Sequence, residues 1–237
     1  GGNSMTLQNN SFRPSDVLFH LDTNETLKLT NTVNTGAITN IGGGNGWGNN
    51  LIGSIFALDG GTLFLENLTL TGATNQKADM GAINFVGCYN GTDPNNYETG
   101  HVDDFHGGTI ILKNVTVNGQ CGISNYEPPS VTKTNGQESP TNHPTKIVDN
   151  STITIVLSHA TFTTSKKKIV LNNITNANIR IVMEHTNNVS FDLSGCEMSN
   201  IVFYTDSDNE KNIPKGIPKA NMKSIDDYKA LNDAVTW

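Results

Sequence analysis

The sequence contains little charge, almost no arginine and no long apolar run, and each shortage excludes a class of protein. Charged residues make up 16% of the chain, the formal net charge is -7, and the arginines are Arg13 and Arg180. Nucleic-acid binding needs a basic surface, which this chain lacks. Because no apolar run approaches the length of a bilayer crossing, we expect no membrane span.

Apolar and small polar residues dominate what remains. Hydrophobic residues make up 35% of the chain, and most of the rest is Asn, Thr, Ser and Gly. This composition is too apolar for a disordered chain and too rich in turn-forming residues for a helical bundle. It predicts one elongated all-β domain that spans residues 1–237.

An internal repeat indicates how the β-structure is organised. The segment Gly60–Gly72 aligns without gaps on Gly107–Gly119, and the residue classes match at each position. Apolar side chains alternate on both sides of a corner residue, which is Asn67 in one copy and Asn114 in the other. Asn tolerates left-handed backbone geometry, and stacked Asn side chains can hydrogen-bond to each other. The repeat predicts a parallel β-solenoid with an Asn at a recurring corner.

Weaker copies extend this pattern along the chain. Leu27–Asn31 precedes the two strong copies, Ile155–Phe162 follows them with His159 at the corner, and Ile169–Thr175 comes next. Residues 178–205 alternate tightly and are expected to form further coils.

Two insertions and a C-terminal cap interrupt or end the repeat. We expect loops at residues 88–106 and 122–149, the second because prolines without a ladder donor belong outside the sheets. Helical spacing of Ile225, Tyr228 and Leu231 after Ser224, a candidate N-cap, predicts a short helix within about residues 222–232. This helix would cover the open end of the last coil.

The repeat, together with Gly81-Ala82-Ile83, resembles the coils of the pectate-lyase-like right-handed parallel β-helix superfamily. The resemblance covers about residues 27–205 and is closest to bacterial surface adhesins and autotransporter-type passenger domains. It implies a right-handed β-helix in a secreted or cell-surface protein, which is therefore expected to be extracellular. Fold alone leaves binding, lyase and hydrolase functions open.

Enzymes of this superfamily would be expected to show signatures that are incomplete here. A lyase would place calcium-binding aspartates beside a basic residue, but no aspartate cluster neighbours Arg180, which is more simply interpreted as a solvent-facing strand residue. A hydrolase would combine paired aspartates with a Gly-His-Gly loop; Asp103 and Asp104 are adjacent, but the loop is absent. No catalytic residue is assigned.

The densest set of titratable groups lies in the first insertion. Carboxylates suit calcium and imidazoles suit softer metals, so the set is a candidate metal site with calcium as the candidate ion. An acidic, solvated loop is the simpler interpretation, because the spacing matches no known motif. The members are Asp93, Glu98, His101, Asp103, Asp104 and His106.

Four aromatic residues are candidate ligand-binding residues: one lies in the glycine-rich segment Gly42–Gly48, a predicted turn-rich loop, and three lie in the two predicted insertions. An exposed aromatic ring can stack on the apolar face of a sugar while Asn side chains bind its hydroxyls, although packing against the solenoid is an equally good interpretation. The residues are Trp47, Tyr89, Tyr97 and Tyr126.

The cysteines are too few and too widely spaced for a metal-type pair. Two interpretations of Cys88, Cys121 and Cys196 stay open: a Cys88–Cys121 disulfide between neighbouring coils, or three half-buried thiols.

These observations lead to three hypotheses from different classes. The first is a secreted or cell-surface adhesin domain that binds host or environmental glycans through an exposed solenoid face and its inserted loops; its partner is a glycan or a host surface receptor. The second is a β-helix polysaccharide lyase or glycoside hydrolase with a diverged site near His101 to His106 and Arg180. The third is a structural stalk or phage fibre segment.

Overall fold

The computed structural model describes residues 4–7, 19–32, 36–40, 55–72, 81–85, 105–119, 121–125, 130–134, 137–141, 147–164 and 168–237. Strands dominate this part of the chain, and its α-helix, α1, is Ile225–Lys229. Three 3₁₀ turns cover Met198–Asn200, Glu210–Asn212 and Lys219–Asn221. The strands are β1 Ser4–Leu7, β2 Phe19–Asp22, β3 Thr26–Thr30, β4 Gly36–Asn40, β5 Phe56–Asp59, β6 Thr62–Thr71, β7 Gly81–Phe85, β8 Phe105–Asn118, β9 Cys121–Ser124, β10 Ser130–Thr134, β11 Gln137–Thr141, β12 Ile147–Ser158, β13 Thr161–Phe162, β14 Ile169–Val170, β15 Asn178–Glu184, β16 Phe191–Asp192, β17 Ile201–Thr205 and β18 Met222–Ser224.

The strands form two parallel sheets between which the chain alternates. Sheet 1 has ten strands in the order β1-β4-β6-β8-β12-β15-β17-β18, with β3 beside β6 and β13 beside β8. Sheet 2 has six strands in the order β16-β14-β9-β7-β5-β2. From β5 to β9, successive strands belong to sheet 2 and sheet 1 in turn. The expectation of an all-β fold with parallel sheets and a short C-terminal helix is confirmed.

The alignment of the two strong repeat copies in the sequence is the same as the pairing of their strands in sheet 1. Leu63 lies opposite Ile110, and Leu68 lies opposite Val115, so β6 and β8 pair as the gapless alignment predicts. The weaker copies at Leu27–Asn31 and Ile155–Phe162 also pair in sheet 1. The copy at Ile169–Thr175 differs, because β14 pairs with β9 and β16 in sheet 2.

The corner residues adopt the predicted left-handed backbone. Their φ angles are 57° at Asn67, 53° at Asn114 and 54° at His159. Asn114 Nδ2 donates to Asn67 Oδ1 at 2.8 Å, and Asn67 Nδ2 donates to the Asn31 carbonyl at 2.8 Å. These hydrogen bonds join corner residues on neighbouring strands. The same corner therefore recurs along the sheet.

The hydrophobic core consists of stacked rows of inward side chains. One row follows the register of sheet 1 across five strands, and every member is fully buried. Each such side chain stabilises the fold by about 1.5–3 kcal/mol relative to an exposed one. The row consists of Leu63, Ile110, Ile155, Ile181 and Phe203.

The insertions are narrower than predicted and are not purely loops. Phe105 and His106 already belong to β8, and β9 and β12 occupy the two ends of the 122–149 range. Within that range β10 and β11 form an antiparallel hairpin in which Pro140 lies opposite Val131. Pro140 is accommodated because this hairpin is separate from both parallel sheets. The remainder of both ranges lies outside the described residues.

The C-terminal helix begins as predicted and packs on the outward face of sheet 1. Ser224 caps α1 through a capping box with Asp227, and the helix ends at Lys229 rather than near residue 232. Ile225 and Tyr228 pack on outward side chains of sheet 1, such as Val182. Coverage of the open end of the last coil stays a prediction, and β18 is the last strand of the sheet.

Candidate functional site

The outward face of sheet 1 has an apolar row before the corner residues and a polar half after them. The apolar row is in register across five strands: Phe64, Ile111, Val156, Val182 and Tyr204. All five are at most 8% exposed. Residues 225–237, here called the C-terminal strap, pack against this row. The strap therefore covers the part of this row that lies on β15 and β17, Val182 and Tyr204, which would otherwise be apolar and open to water.

Aromatic packing holds the strap on the sheet. Tyr228 is fully buried, with its ring 5.2 Å from the ring of Tyr204 and 5.8 Å from that of Trp237. Its hydroxyl accepts a hydrogen bond from the backbone N–H of Val235 at 3.2 Å. Tyr228 thus has both its apolar ring and its polar tip satisfied.

Polar contacts to Glu184 also hold the strap. Trp237 Nε1 donates to Glu184 Oε2 at 3.0 Å, and Lys229 Nζ lies 3.3 Å from Glu184 Oε1. Ser158 donates a further hydrogen bond to this carboxylate at 2.8 Å. Burial would raise the pKa of the Glu184 carboxyl, but the hydrogen bonds and the Lys229 charge outweigh burial and lower the pKa below its ordinary value.

Arg180, the candidate basic residue of a lyase site, contacts the same strap. Its guanidinium lies 2.5 Å from Asp233 Oδ2, and this hydrogen bond lowers the pKa of the Asp233 carboxyl. Strand β12 separates its strand, β15, from β8, which carries His106. Arg180 is therefore an anchor for the strap, and its strand is not next to that of His106.

The polar half presents two rows of hydroxyl and amide side chains, here called the threonine face. One row is Thr69, Thr116 and Thr161; the other is Thr71, Asn118 and Thr163. Each of the six is at least partly exposed. Neighbours in a row are about 4.8 Å apart, and the two rows are about 6.6 Å apart along the strand.

Hydrogen bonds fix part of this face. Asn118 Nδ2 donates to Thr71 Oγ1 at 3.4 Å, and Thr163 Oγ1 donates to Asn118 Oδ1. Under the face, Leu70, Val117 and Phe162 are buried in the core, so the strands carry their outward hydroxyls on a rigid base. Hydroxyls and amides both donate and accept, and the Thr methyl groups add apolar contact. None of the six side chains titrates near neutral pH, so the face suits binding rather than proton transfer.

His106 is the one member of the predicted metal set that lies among the described residues. Its ring Nδ1 is 2.8 Å from Asp59 Oδ1, and its backbone N–H donates to the same oxygen at 2.7 Å. The Asp59 side chain is 9% exposed, whereas that of His106 is 53% exposed. A buried carboxylate that holds Nδ1 fixes the orientation of an imidazole ring.

The other members of that set, Asp93, Glu98, His101, Asp103 and Asp104, lie outside the described residues. Within the described part of the chain, no group of three or more His, Cys, Asp or Glu side chains is placed to hold a metal ion. Calcium binding in the first insertion therefore stays a prediction.

The predicted aromatic ligand-binding residues Trp47, Tyr89, Tyr97 and Tyr126 also lie outside the described residues, as does Cys88. Cys121 is buried, and its thiol contacts the Ile123 carbonyl at 3.6 Å. Cys196 is half-buried, and burial raises the pKa of its thiol. The Cys88–Cys121 disulfide stays a prediction.

Sequence reasoning predicted binding through an exposed solenoid face but did not identify the residues of the threonine face, although a signal for them was present. In each of β6, β8 and β13 a polar residue precedes a buried apolar one, as in Thr69-Leu70 and Thr116-Val117. Alternation of this kind places the polar members on one outward surface once the strands are in register. The sequence repeat already predicted the strand register that aligns these residues in rows.

Comparison with known protein families, with curated proteins and with solved structures finds no match. Among the described residues, no helix has both the length and the apolar character needed to cross a bilayer.

Proposed function

We propose that this chain is a right-handed parallel β-helix from a secreted or cell-surface protein, and that it binds glycans as an adhesin domain. The alternation of the chain between two parallel sheets supports the coiled path. Parallel strands need crossover connections, and such connections are right-handed in the great majority of proteins. The partner is a glycan of the environment or of a host surface receptor.

The observation that carries the binding proposal is the threonine face. Its hydroxyls and amides form two straight rows on a rigid sheet. A polysaccharide likewise presents repeated hydroxyls along an extended chain, so several weak hydrogen bonds can form together. Each contributes about 0.5–1.5 kcal/mol. The aromatic residues predicted from the sequence would add sugar stacking.

A glycan array tests this proposal, and the chain offers a matched control. The test variant replaces Thr69, Thr116 and Thr161 by Val, which keeps side-chain shape and removes the hydroxyls. The control makes the same change at Thr26, Thr62 and Thr109, a row that is in register before the corner. We expect wild type and control to bind the same glycans and the test variant to lose at least about tenfold in affinity, if each hydroxyl contributes about 0.5 kcal/mol or more.

Arrays are run with calcium and with chelator, so that a calcium-dependent loop contribution is measured separately. Equal binding by the two triple variants would exclude the threonine face. If wild type binds no glycan in either condition, the adhesin proposal fails and a structural stalk becomes the better account.

A second candidate, a polysaccharide lyase or hydrolase, is favoured by the Asp59–His106 pair. The oriented imidazole could serve as the proton acceptor or donor that cleavage of a glycosidic linkage requires. The assay is product formation from each array hit, with wild type and with His106→Asn. Turnover that the substitution abolishes would establish the enzyme, whereas binding without turnover supports the adhesin.

A further inference from the structure

Two histidines occupy neighbouring corner positions of sheet 1, on the two strands that follow those with the Asn corners. Ser158 lies opposite Glu184 in the β12–β15 register, which places the following residues, His159 and His185, side by side. Both adopt left-handed backbone, with φ 54° and 48°. The His159 N–H donates to the Glu184 carbonyl at 2.8 Å, so the two corners are joined through the backbone.

The two rings are close and are held in defined orientations. Their centroids are 5.0 Å apart with an interplanar angle of 56°. His159 Nδ1 lies 3.2 Å from Ser158 Oγ, and His185 Nδ1 lies 3.3 Å from Asp206 Oδ2. Among the described residues, no group hydrogen-bonds to Nε2 of either ring. Both side chains are exposed, and that of His185 is 56% exposed.

The partner of His185 is itself fixed. Asp206 accepts hydrogen bonds from the His185 backbone N–H at 2.6 Å and from Asn209 Nδ2 at 2.8 Å. Burial would raise the pKa of the Asp206 carboxyl, but these hydrogen bonds and the His185 ring lower it below its ordinary value. A carboxylate on the second ring nitrogen is the usual support of a metal-binding histidine, since it fixes the ring and makes the other nitrogen a better ligand.

The ring separation matches that of two imidazoles on one ion. A zinc ion 2.0–2.1 Å from each nitrogen lies about 3.2 Å from each ring centre, so rings at a right to tetrahedral angle have centres about 4.5–5.2 Å apart. The observed 5.0 Å falls within this range.

We propose that His159 and His185 chelate a transition-metal ion through their Nε2 atoms, with water in the remaining coordination positions. Two imidazole ligands select zinc, nickel or copper rather than calcium, and Cu²⁺ is expected to bind most tightly. The site uses none of the residues of the predicted metal set at residues 93–106 and none of the threonine face. It does not depend on the proposed function.

Titration calorimetry with Zn²⁺ and with Cu²⁺ on the metal-stripped full chain tests the site. The variants are His159→Asn and His185→Asn. Asn is chosen because Asn67 and Asn114 already occupy this corner with left-handed backbone, so both variants are expected to fold. Each should lower the affinity of one bound ion per chain by more than about tenfold, since even loss of a second-shell partner costs about 10–100-fold.

Two further variants distinguish this site from others in the chain. Asp206→Asn should weaken the same ion by about tenfold through the orientation of His185. His106→Asn removes an exposed histidine that belongs to another pair, and should leave this ion's affinity unchanged. The copper-loaded protein should also give an electron paramagnetic resonance spectrum with two equivalent imidazole nitrogens, reduced to one in either corner variant.

The proposal is overturned if neither Zn²⁺ nor Cu²⁺ binds, or if His159→Asn and His185→Asn bind both ions as wild type does. Circular dichroism of each variant, compared with wild type, separates loss of a ligand from loss of fold. If His185→Asn alone unfolds, His159→Asn and the copper spectrum still decide the question.

Discussion

At the scale of single residues, the corner positions let the backbone bend sharply while neighbouring strands stay paired. A left-handed backbone costs most L-residues about 1–2 kcal/mol, and Asn is among the few that adopt it routinely. Asn67 and Asn114 also hydrogen-bond to their neighbours on adjacent strands. Their side chains therefore contribute both to the backbone geometry and to contact between successive corners.

Substitution of Asn114 separates these two contributions. Asn114→Gly removes the hydrogen bond to Asn67 but tolerates the φ of 53°, so we expect a loss of about 1 kcal/mol in the free energy of unfolding. Asn114→Ala adds the left-handed strain and should lose about 2–3 kcal/mol in total. Urea denaturation of the two variants measures the difference. Equal stability of the Gly and Ala variants would contradict the role of the left-handed backbone.

The residues before and after a corner explain why some corners could be predicted and others could not. Asn114 is followed by Val115-Thr116-Val117, and His159 by Ala160-Thr161-Phe162, so the alternation resumes and marks the corner. His185 is followed by Thr186-Asn187-Asn188, which has no alternation. The pairing of His159 with His185 therefore became visible only from the backbone register.

At the scale of elements, the C-terminal strap shows what helical spacing leaves undetermined. The positions of Ile225 and Tyr228 predict that one face of α1 is buried, and it is, but they carry no information about what that face covers. Its partner is a row assembled from five strands far apart in sequence. A signal for that row exists: apolar runs such as Leu63-Phe64-Leu65 break the alternation, as expected of strands covered on both faces.

The strap depends most on Tyr228, whose ring is fully buried between two other aromatic rings. Tyr228→Ala should cost about 3–5 kcal/mol, as truncation of a buried aromatic residue usually does, and should expose the apolar row. Tyr228→Phe removes only the hydrogen bond to Val235 and should cost about 1 kcal/mol. Thermal unfolding and binding of a hydrophobic dye measure stability and exposure. A Tyr228→Ala protein that binds no more dye than the Phe variant would contradict the covering role.

At the scale of the whole molecule, the sequence distance between paired residues of neighbouring strands in sheet 1 falls from Leu63 onward. Successive members of one core row, Leu63, Ile110, Ile155, Ile181 and Phe203, are 47, 45, 26 and 22 residues apart. The two long steps contain the inserted segments, and the short ones contain little beyond the strands. The repeat predicts the strands because alternation and corner residues recur, whereas the insertions have no periodicity from which a conformation could be derived.

All surfaces described above depend on one architectural claim, that the strands of sheet 1 stack in register along an axis. Lys28 and Lys223 lie in one outward row, six strand steps apart, which corresponds to about 29 Å between backbones. Lys113 and Lys223 are four steps apart and offset by two residues along the strand, which corresponds to about 20 Å.

The most direct test is a double electron–electron resonance measurement on these two pairs, with spin labels placed at genetically encoded residues so that the cysteines stay unchanged. Stacked coils predict two narrow distance distributions whose maxima differ by about 9 Å, the Lys28–Lys223 distance being the longer. Broad distributions, or maxima that coincide for the two pairs, would contradict the stacking and with it the threonine face and the histidine pair.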